Sequence, residues 1–161
     1  MQVLWLFGEE RQVTEVGSMN ICFVFRSKDG SAVELVTAPL DRGDILPGVT
    51  RRSVLELARE WIEMKEDKKL TPNGLPLKVA ERWVTMGEII EAKKEGRLLE
   101  VFGCGTAALL CPVESIVFEE HEIMIPVPSL SADSKSLVSA ISREIYDIQV
   151  RPVILFCHLL F

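Results

Sequence analysis

Ile45-Leu46-Pro47-Gly48-Val49-Thr50-Arg51-Arg52 runs directly into Ser53-Val54-Leu55-Glu56-Leu57-Ala58-Arg59-Glu60-Trp61. The first part turns sharply at Pro-Gly. The second carries apolar residues at Val54, Leu55, Leu57, Ala58 and Trp61, a helical period that predicts a helix over 50–64. The first turn of a helix holds backbone N–H groups without partners, and the macrodipole adds partial positive charge there. Gly48 has no Cβ and lets a ligand approach the backbone, and Thr50 adds a hydroxyl. Two readings stand side by side: a phosphate-binding helix start, or an ordinary loop-to-helix turn with a Thr cap.

Working outward, the chain before this stretch is rich in strand formers. Val3–Phe7 and Gln12–Val16 read as strands, and Gly17-Ser18-Met19-Asn20 interrupts them before Ile21–Arg26 resumes. Lys28-Asp29-Gly30-Ser31 predicts a hairpin turn back into Val33–Thr37. After the helix, Lys65–Leu77 is charged and rich in turn residues, and predicts a mobile surface loop. Val79–Val84 reads as a strand, and Thr85-Met86-Gly87-Glu88 as a capping box that starts a helix ending near Gly96. Leu98–Phe102, Ala108–Val113, Ile116–Phe118 and Ile123–Pro126 read as further strands. Ser134–Ile148 closes as an amphipathic helix with Leu137, Val138, Ile141, Ile145 and Ile148 on one face. Strands with interspersed helices predict a mixed α/β architecture.

Composition narrows the function classes. The 161 residues suffice for one domain with a real core. A net charge of −6, a sequence pI near 5.0 and the lack of a dense basic cluster argue against nucleic acid as a partner. Four cysteines without CxxC or zinc spacing, and only two histidines, predict free thiols and no metal site. The expectation is an intracellular protein. Neither the start, Met1–Gly8, nor the apolar end, Val153–Phe161, is long enough to predict a signal peptide or a membrane span.

Two further stretches carry chemistry. Thr14-Glu15-Val16-Gly17-Ser18-Met19-Asn20 frames one carboxylate with strand residues; Glu15 is either an edge-strand group in water or a partly buried functional one. Phe102-Gly103-Cys104-Gly105-Thr106-Ala107-Ala108 offers a tight turn with N–H groups and a hydroxyl, either an anion nest or a plain turn of small residues. No histidine lies near Cys104 in sequence to activate it as a nucleophile.

Together these stretches resemble a known family. QVLWL at Gln2–Leu6, TEVGSMN at Thr14–Asn20, ELVTAPLD at Glu34–Asp41, ILPGVTRRSVLELAREW at Ile45–Trp61, ERWVTM at Glu81–Met86, GRLLEVFGCGTAALLCPV at Gly96–Val113 and DIQ at Asp147–Gln149 occur in the order found in branched-chain amino acid aminotransferases. These are fold-type IV, pyridoxal phosphate-dependent enzymes. The resemblance implies that residues 1–149 form part of the large C-terminal domain of the D-amino acid aminotransferase-like fold, mixed α+β, with a β-rich, barrel-like core and flanking helices. It implies that Glu15 sits against the pyridine nitrogen. Val49, Thr50 and Thr106 would hold the cofactor phosphate, and Leu46 would pack on the ring. The amides of Thr106 and Ala107 would meet the substrate carboxylate. The implied reaction moves an amino group between leucine, isoleucine or valine and 2-oxoglutarate, in a homodimer of the cytoplasm or mitochondrion.

The resemblance also implies absences. In the family the Schiff-base lysine lies upstream of the QVLWL strand, so no lysine of this chain is assigned that catalytic role, and the small N-terminal domain is not expected here. The alternative expectation is therefore an inactive fragment that binds pyridoxal phosphate weakly or a partner subunit. Ala108 stands where mammalian enzymes carry the first cysteine of a CxxC, so Cys111 is expected to lack a disulfide partner. Lys65–Leu77 resembles an insertion. Residues 150–161 depart from the family pattern as an apolar tail, which Val150-Arg151, encodable as an intron donor, suggests is read-through.

Overall fold

The computed structural model describes residues 1–69, 71–127 and 136–150. The expectations for 151–161, and for Ser134 and Lys135, lie outside the described residues.

Seven strands form one mixed sheet. These are β1 (Leu4–Phe7), β2 (Gln12–Val16), β3 (Met19–Arg26), β4 (Val33–Thr37), β5 (Leu77–Glu81), β6 (Leu98–Gly105) and β7 (Leu109–Pro112). The order β1-β2-β3-β4-β5 makes one path, while β6 pairs with β3 and β7. All pairs are antiparallel except β4–β5. A separate hairpin joins β8 (Ser115–Phe118) to β9 (His121–Met124). The expected barrel-like core takes the form of a curled sheet. Beyond β5 the chain bends back to β2, where Val13 N donates to Val84 O at 2.8 Å and Gln12 bridges Thr85. That bend is why the ladder stops at Glu81, short of the Val84 that periodicity predicts.

β3 is the centre. Its N-terminal end pairs with β2, the rest of that edge pairs with β4, and the whole opposite edge pairs with β6. Side chains alternate along a strand. Ile21, Phe23 and Phe25 enter one apolar cluster with Met86 and Ile89 of α2 (Met86–Lys94). Cys22 and Val24 enter a second with Val54, Leu55 and Ala58 of α1 (Val49–Glu63) and Leu137, Val138 and Ile141 of α3 (Leu137–Val150). A strand buried on both faces explains the unbroken apolar run in the sequence.

Local chemistry sets the joints. Gly17, at φ +57, supplies the left-handed residue of the tight turn between β2 and β3, so the interruption read at 17–20 shrinks to Gly17-Ser18. Asp29 accepts from Ser27 Oγ at 2.6 Å and from Ser31 N at 3.0 Å in the β3–β4 turn, and these bonds hold its carboxyl well below the usual carboxylate range. Thr85 caps α2 by accepting from Glu88 N at 3.1 Å, while the Glu88 carboxylate turns to Arg82 instead of completing the box.

Within 65–77, expected as a surface loop, the described residues carry local structure of their own. Two 3₁₀ turns, Asp67–Lys69 and Pro72–Gly74, shape the segment. Asp67 is buried and accepts from Leu77 N at 2.8 Å, and buried Thr71 donates to Leu75 O. Two of the polar residues that suggested a solvated loop, Asp67 and Thr71, are ones that pin it.

Candidate functional site

The 45–48 loop reaches its place through Arg42. That guanidinium lies 3.5 Å from the Trp83 ring centroid and 4.2 Å from that of Phe7, and it donates to Gln12 Oε1 at 2.7 Å. Stacking of a cation between two aromatic faces holds residues 41–44 against β1 and β2. Ile45 is buried below, and Leu46 emerges exposed.

Leu46 then meets β2 and β3. Its N–H donates to Glu15 Oε1 at 3.1 Å, and its carbonyl accepts from Asn20 Nδ2 at 2.8 Å and from Gly48 N at 2.8 Å. Asn20 Nδ2 also donates to Glu15 Oε1 at 3.2 Å. Glu15 and Asn20 are register partners across the β2–β3 turn, so both side chains leave the same face of the sheet. Both bonds to the carboxylate fall on Oε1. Among the described residues no donor reaches Oε2, which is left to accept from a ligand.

α1 starts at the other end of this loop without a cap. Gly48 is its N-cap residue, no side chain bonds the first amides, and no acidic residue occupies the first turn. The Thr cap of the ordinary-turn reading is not formed; Thr50 lies inside the helix and is buried. Val49 is exposed, as Leu46 is. Gly48 differs from its expected role. Its φ of −64° suits any residue. A Cβ there would lie 2.2 Å from Asn20 Oδ1, so the close approach belongs to a protein side chain rather than a ligand.

Thr106 and Ala107 are exposed in the three-residue turn between β6 and β7, where Gly105 pairs with Leu109. Leu109 takes φ +49, as the bulge that closes such a turn demands. Among the described residues the amides of Thr106, Ala107 and Ala108 bond to no backbone carbonyl. Asn20 pairs with Cys104, so this turn continues from the strand beside Asn20. Met19 fills the space that Cβ atoms on Gly103 and Gly105 would take, at 2.8 Å from each. The structure thus joins Glu15 and Leu46 in direct contact, sets Val49 and Thr50 at the next turn of chain, and brings the β6 end to the same corner. No described hydrogen bond links Thr106 or Ala107 to the start of α1.

Cys104 lies buried with its Sγ 4.0 Å from Cys22 Sγ. The hydrogen bond to Cys104, followed by burial, pushes the Cys22 thiol up. Lys28, Lys65, Lys68, Lys78, Lys93 and Lys94 are exposed. Among the described residues no group of three or more His, Cys, Asp or Glu is placed to hold a metal, and no helix is long and apolar enough to cross a membrane.

Sequence reading named Asn20 only as part of a motif and passed over Arg51 and Glu100. Arg51, buried in the first turn of α1, donates through Nη2 to Ala38 O at 2.8 Å and to Glu81 Oε2 at 2.7 Å. Glu100 is buried under the start of α3 and accepts from Leu137 N, Val138 N and Ser136 Oγ at 2.9, 2.9 and 3.2 Å. A polar residue inside an apolar strand run was the available signal for Asn20 and Glu100, as it was for Glu15.

Among the described residues, a carboxylate with one oxygen unbonded, an uncapped helix start and a turn of amides without backbone partners suit a ligand with a basic nitrogen at one end and an anion at the other. The chain belongs to the amino-transferase class IV family, whose sequence model matches residues 1–116. Among curated proteins it is 48% identical over 148 residues to the mitochondrial branched-chain-amino-acid aminotransferase of Schizosaccharomyces pombe, covering 92% of this chain and 32% of that protein. It is 45% identical over 148 residues to the cytosolic branched-chain-amino-acid aminotransferase of Rattus norvegicus, again covering 92% and 32%. The branched-chain aminotransferase of Thermoproteus uzoniensis, solved with norvaline, superposes with a TM-score of 0.58 at 25% identity, covering 91% of this chain and 36% of that one. The chain spans about a third of the length of these curated relatives.

Proposed function

We propose that this chain supplies the ring-nitrogen and phosphate contacts of a branched-chain amino acid aminotransferase, which moves an amino group between leucine, isoleucine or valine and 2-oxoglutarate. The observation that carries the reading is Glu15, held on Oε1 by Leu46 N and Asn20 Nδ2 with Oε2 open, one short loop away from the uncapped start of α1. The branched-chain substrates come from the relatives' names and the EVGSMN motif.

Pyridoxal phosphate, when bound, supplies a protonated pyridine ring that accepts the electron pair released at the substrate α-carbon. Glu15 Oε2 holds the proton on the ring nitrogen. The Val49 and Thr50 amides and the Thr106 hydroxyl bind the phosphate, helped by the α1 macrodipole. Leu46 would cover one face of the ring, where its exposed side chain would exclude water. The Thr106 and Ala107 amides orient the substrate carboxylate. The donor set fits the group: carboxylate for a cationic ring, amides and a hydroxyl for a dianion.

The lysine that attaches the cofactor is assigned by the resemblance to a position upstream of Gln2, in the part of the relatives that this chain does not span. We therefore propose non-covalent binding by these 161 residues, within a homodimeric enzyme of either compartment named for the relatives. Titration of the purified chain with pyridoxal phosphate, followed by absorbance before and after borohydride, tests this. Saturable binding weakened by Glu15→Gln, with no single lysine labelled stoichiometrically after reduction, is expected. Absence of saturable binding refutes the reading. A reduced, retained label together with leucine–2-oxoglutarate turnover refutes the purely non-covalent role.

A further inference from the structure

We propose that Asn20 is a positioning residue that couples the two ends of the cofactor site, so that phosphate held at the start of α1 sets Glu15 for the ring nitrogen. This rests on the function proposed above.

The argument is in the hydrogen bonds. Leu46 is gripped through both of its backbone groups. Its N–H is held by Glu15 Oε1, and its carbonyl by Asn20 Nδ2 and Gly48 N. The same Asn20 amide nitrogen reaches Glu15 Oε1. On its other side, Asn20 Oδ1 fills the space where a Gly48 Cβ would stand. Asn20 thus touches the carboxylate, the loop carbonyl and the N-cap residue of α1 at once, and it is buried. Val49 and Thr50 follow Gly48 directly, so a shift of their amides toward an anion moves Gly48 against Asn20 and carries Leu46 with it. Leu46 N and Asn20 Nδ2 are the two donors that orient Glu15. A buried Asn inside a strand is unfavourable unless its amide finds partners, and here Nδ2 bonds Glu15 and Leu46 while Oδ1 lies against Gly48.

The choice of glycine at 48 follows from the same contact. Its backbone, at φ −64° and ψ 134°, accepts alanine without strain. Only the Asn20 side chain, 2.2 Å away, opposes a Cβ.

The test uses three probes on the full chain: inorganic phosphate for the α1 end, pyridoxal for the ring end, and pyridoxal phosphate for both. In the native chain, saturating phosphate tightens pyridoxal severalfold, and by linkage pyridoxal tightens phosphate by the same factor. Asn20→Ala weakens pyridoxal phosphate by about tenfold, the worth of one or two hydrogen bonds, and abolishes the mutual tightening. A general loss of stability lowers the folded fraction without removing that coupling from the molecules that remain folded. Gly48→Ala is the second variant: where Asn20→Ala does not fold, Gly48→Ala alone is expected to lower the mutual tightening, because its Cβ displaces Asn20 Oδ1, and unchanged tightening overturns the proposal. The same variant weakens phosphate in the native background and adds less than about twofold once Asn20 is alanine, because the clash is gone. Coupling that survives Asn20→Ala, or a fully additive Gly48→Ala, overturns the proposal. If the native chain binds none of the three probes, the function proposed above fails, and amide exchange then decides the tie itself. Leu46 and Gly48 amides exchanging at least about tenfold faster in Asn20→Ala support it, and unchanged rates overturn it.

Discussion

Replacing Glu100 with glutamine changes one oxygen to an amide group and little else. Glu100 accepts from two backbone amides and one hydroxyl at the start of α3, so both of its oxygens are in use. Burial pushes its carboxyl above the usual carboxylate range, and the bonds from Val138, Leu137 and Ser136 pull it back only in part. Glutamine offers a single acceptor oxygen, and its NH₂ faces a donor. One buried N–H left unpaired costs about 1–3 kcal/mol. Loss of the negative charge at a helix start adds up to about 2 kcal/mol, and relief of the carboxylate's desolvation, the larger effect at this site, offsets it. The net expectation is a loss of about 2 kcal/mol at pH 7, read by urea unfolding.

The pH dependence carries a definite sign. A carboxyl with a raised folded pKa binds its proton more tightly folded than unfolded. Its contribution to stability is greatest below the ordinary carboxylate range and declines as pH rises from there through the raised value. The Glu100→Gln chain lacks that term, so the gap between native and variant widens as pH falls. A variant within about 0.5 kcal/mol of native at pH 7, inside the range of an unremarkable surface substitution, refutes the reasoning about the three bonds. A gap that closes in acid refutes the reasoning about burial.

Glu81 responds in the opposite direction: burial raises its carboxyl, but the bonds from Arg51 and Arg59 outweigh it and hold it low. Its stabilisation is present above the ordinary carboxylate range and is lost as pH falls through the lowered value, so Glu81→Gln is expected to differ from native at pH 7 and to converge with it near pH 2 in urea unfolding. Thr85→Ala removes the only side-chain cap of α2 and is expected to cost about 1 kcal/mol by the same measurement. Cys22 and Cys104 are buried and Cys111 is partly exposed, so among these three a disulfide reagent is expected to modify Cys111 first and the other two only on unfolding, read by mass spectrometry of the peptides.

Much of the chain order was legible because local rules govern it. The Asp29-Gly30 turn, the Thr85 cap and the period of α1 all rest on residues within one or two turns of each other. The site was legible in its parts for the same reason: a carboxylate in a strand at Glu15 and a Pro-Gly helix entry at Gly48. What joins the parts was not legible. Asn20 meets Leu46 across 26 residues, and β3 meets β6 across some 80, distances over which periodicity says nothing. The parallel pairing of β4 with β5 follows from a long excursion through α1 that pattern alone does not aim. Gly48 shows how a correct residue can be given the wrong reason. Its missing Cβ suggested room for a ligand, and the room is taken by Asn20.

The placement of β3 has a consequence for synthesis. During translation its aromatic run, Ile21–Phe25, leaves the ribosome long before β6, and Asn20 waits for Cys104. Until then the nascent chain holds a two-sided apolar strand with one unpaired edge, the kind of segment that recruits chaperones or sticks to its neighbours. A slowed codon or a stalled ribosome between residues 40 and 98 would prolong that interval, so the yield of this protein in a cell is expected to depend on translation speed through its middle as well as on the stability of the finished fold.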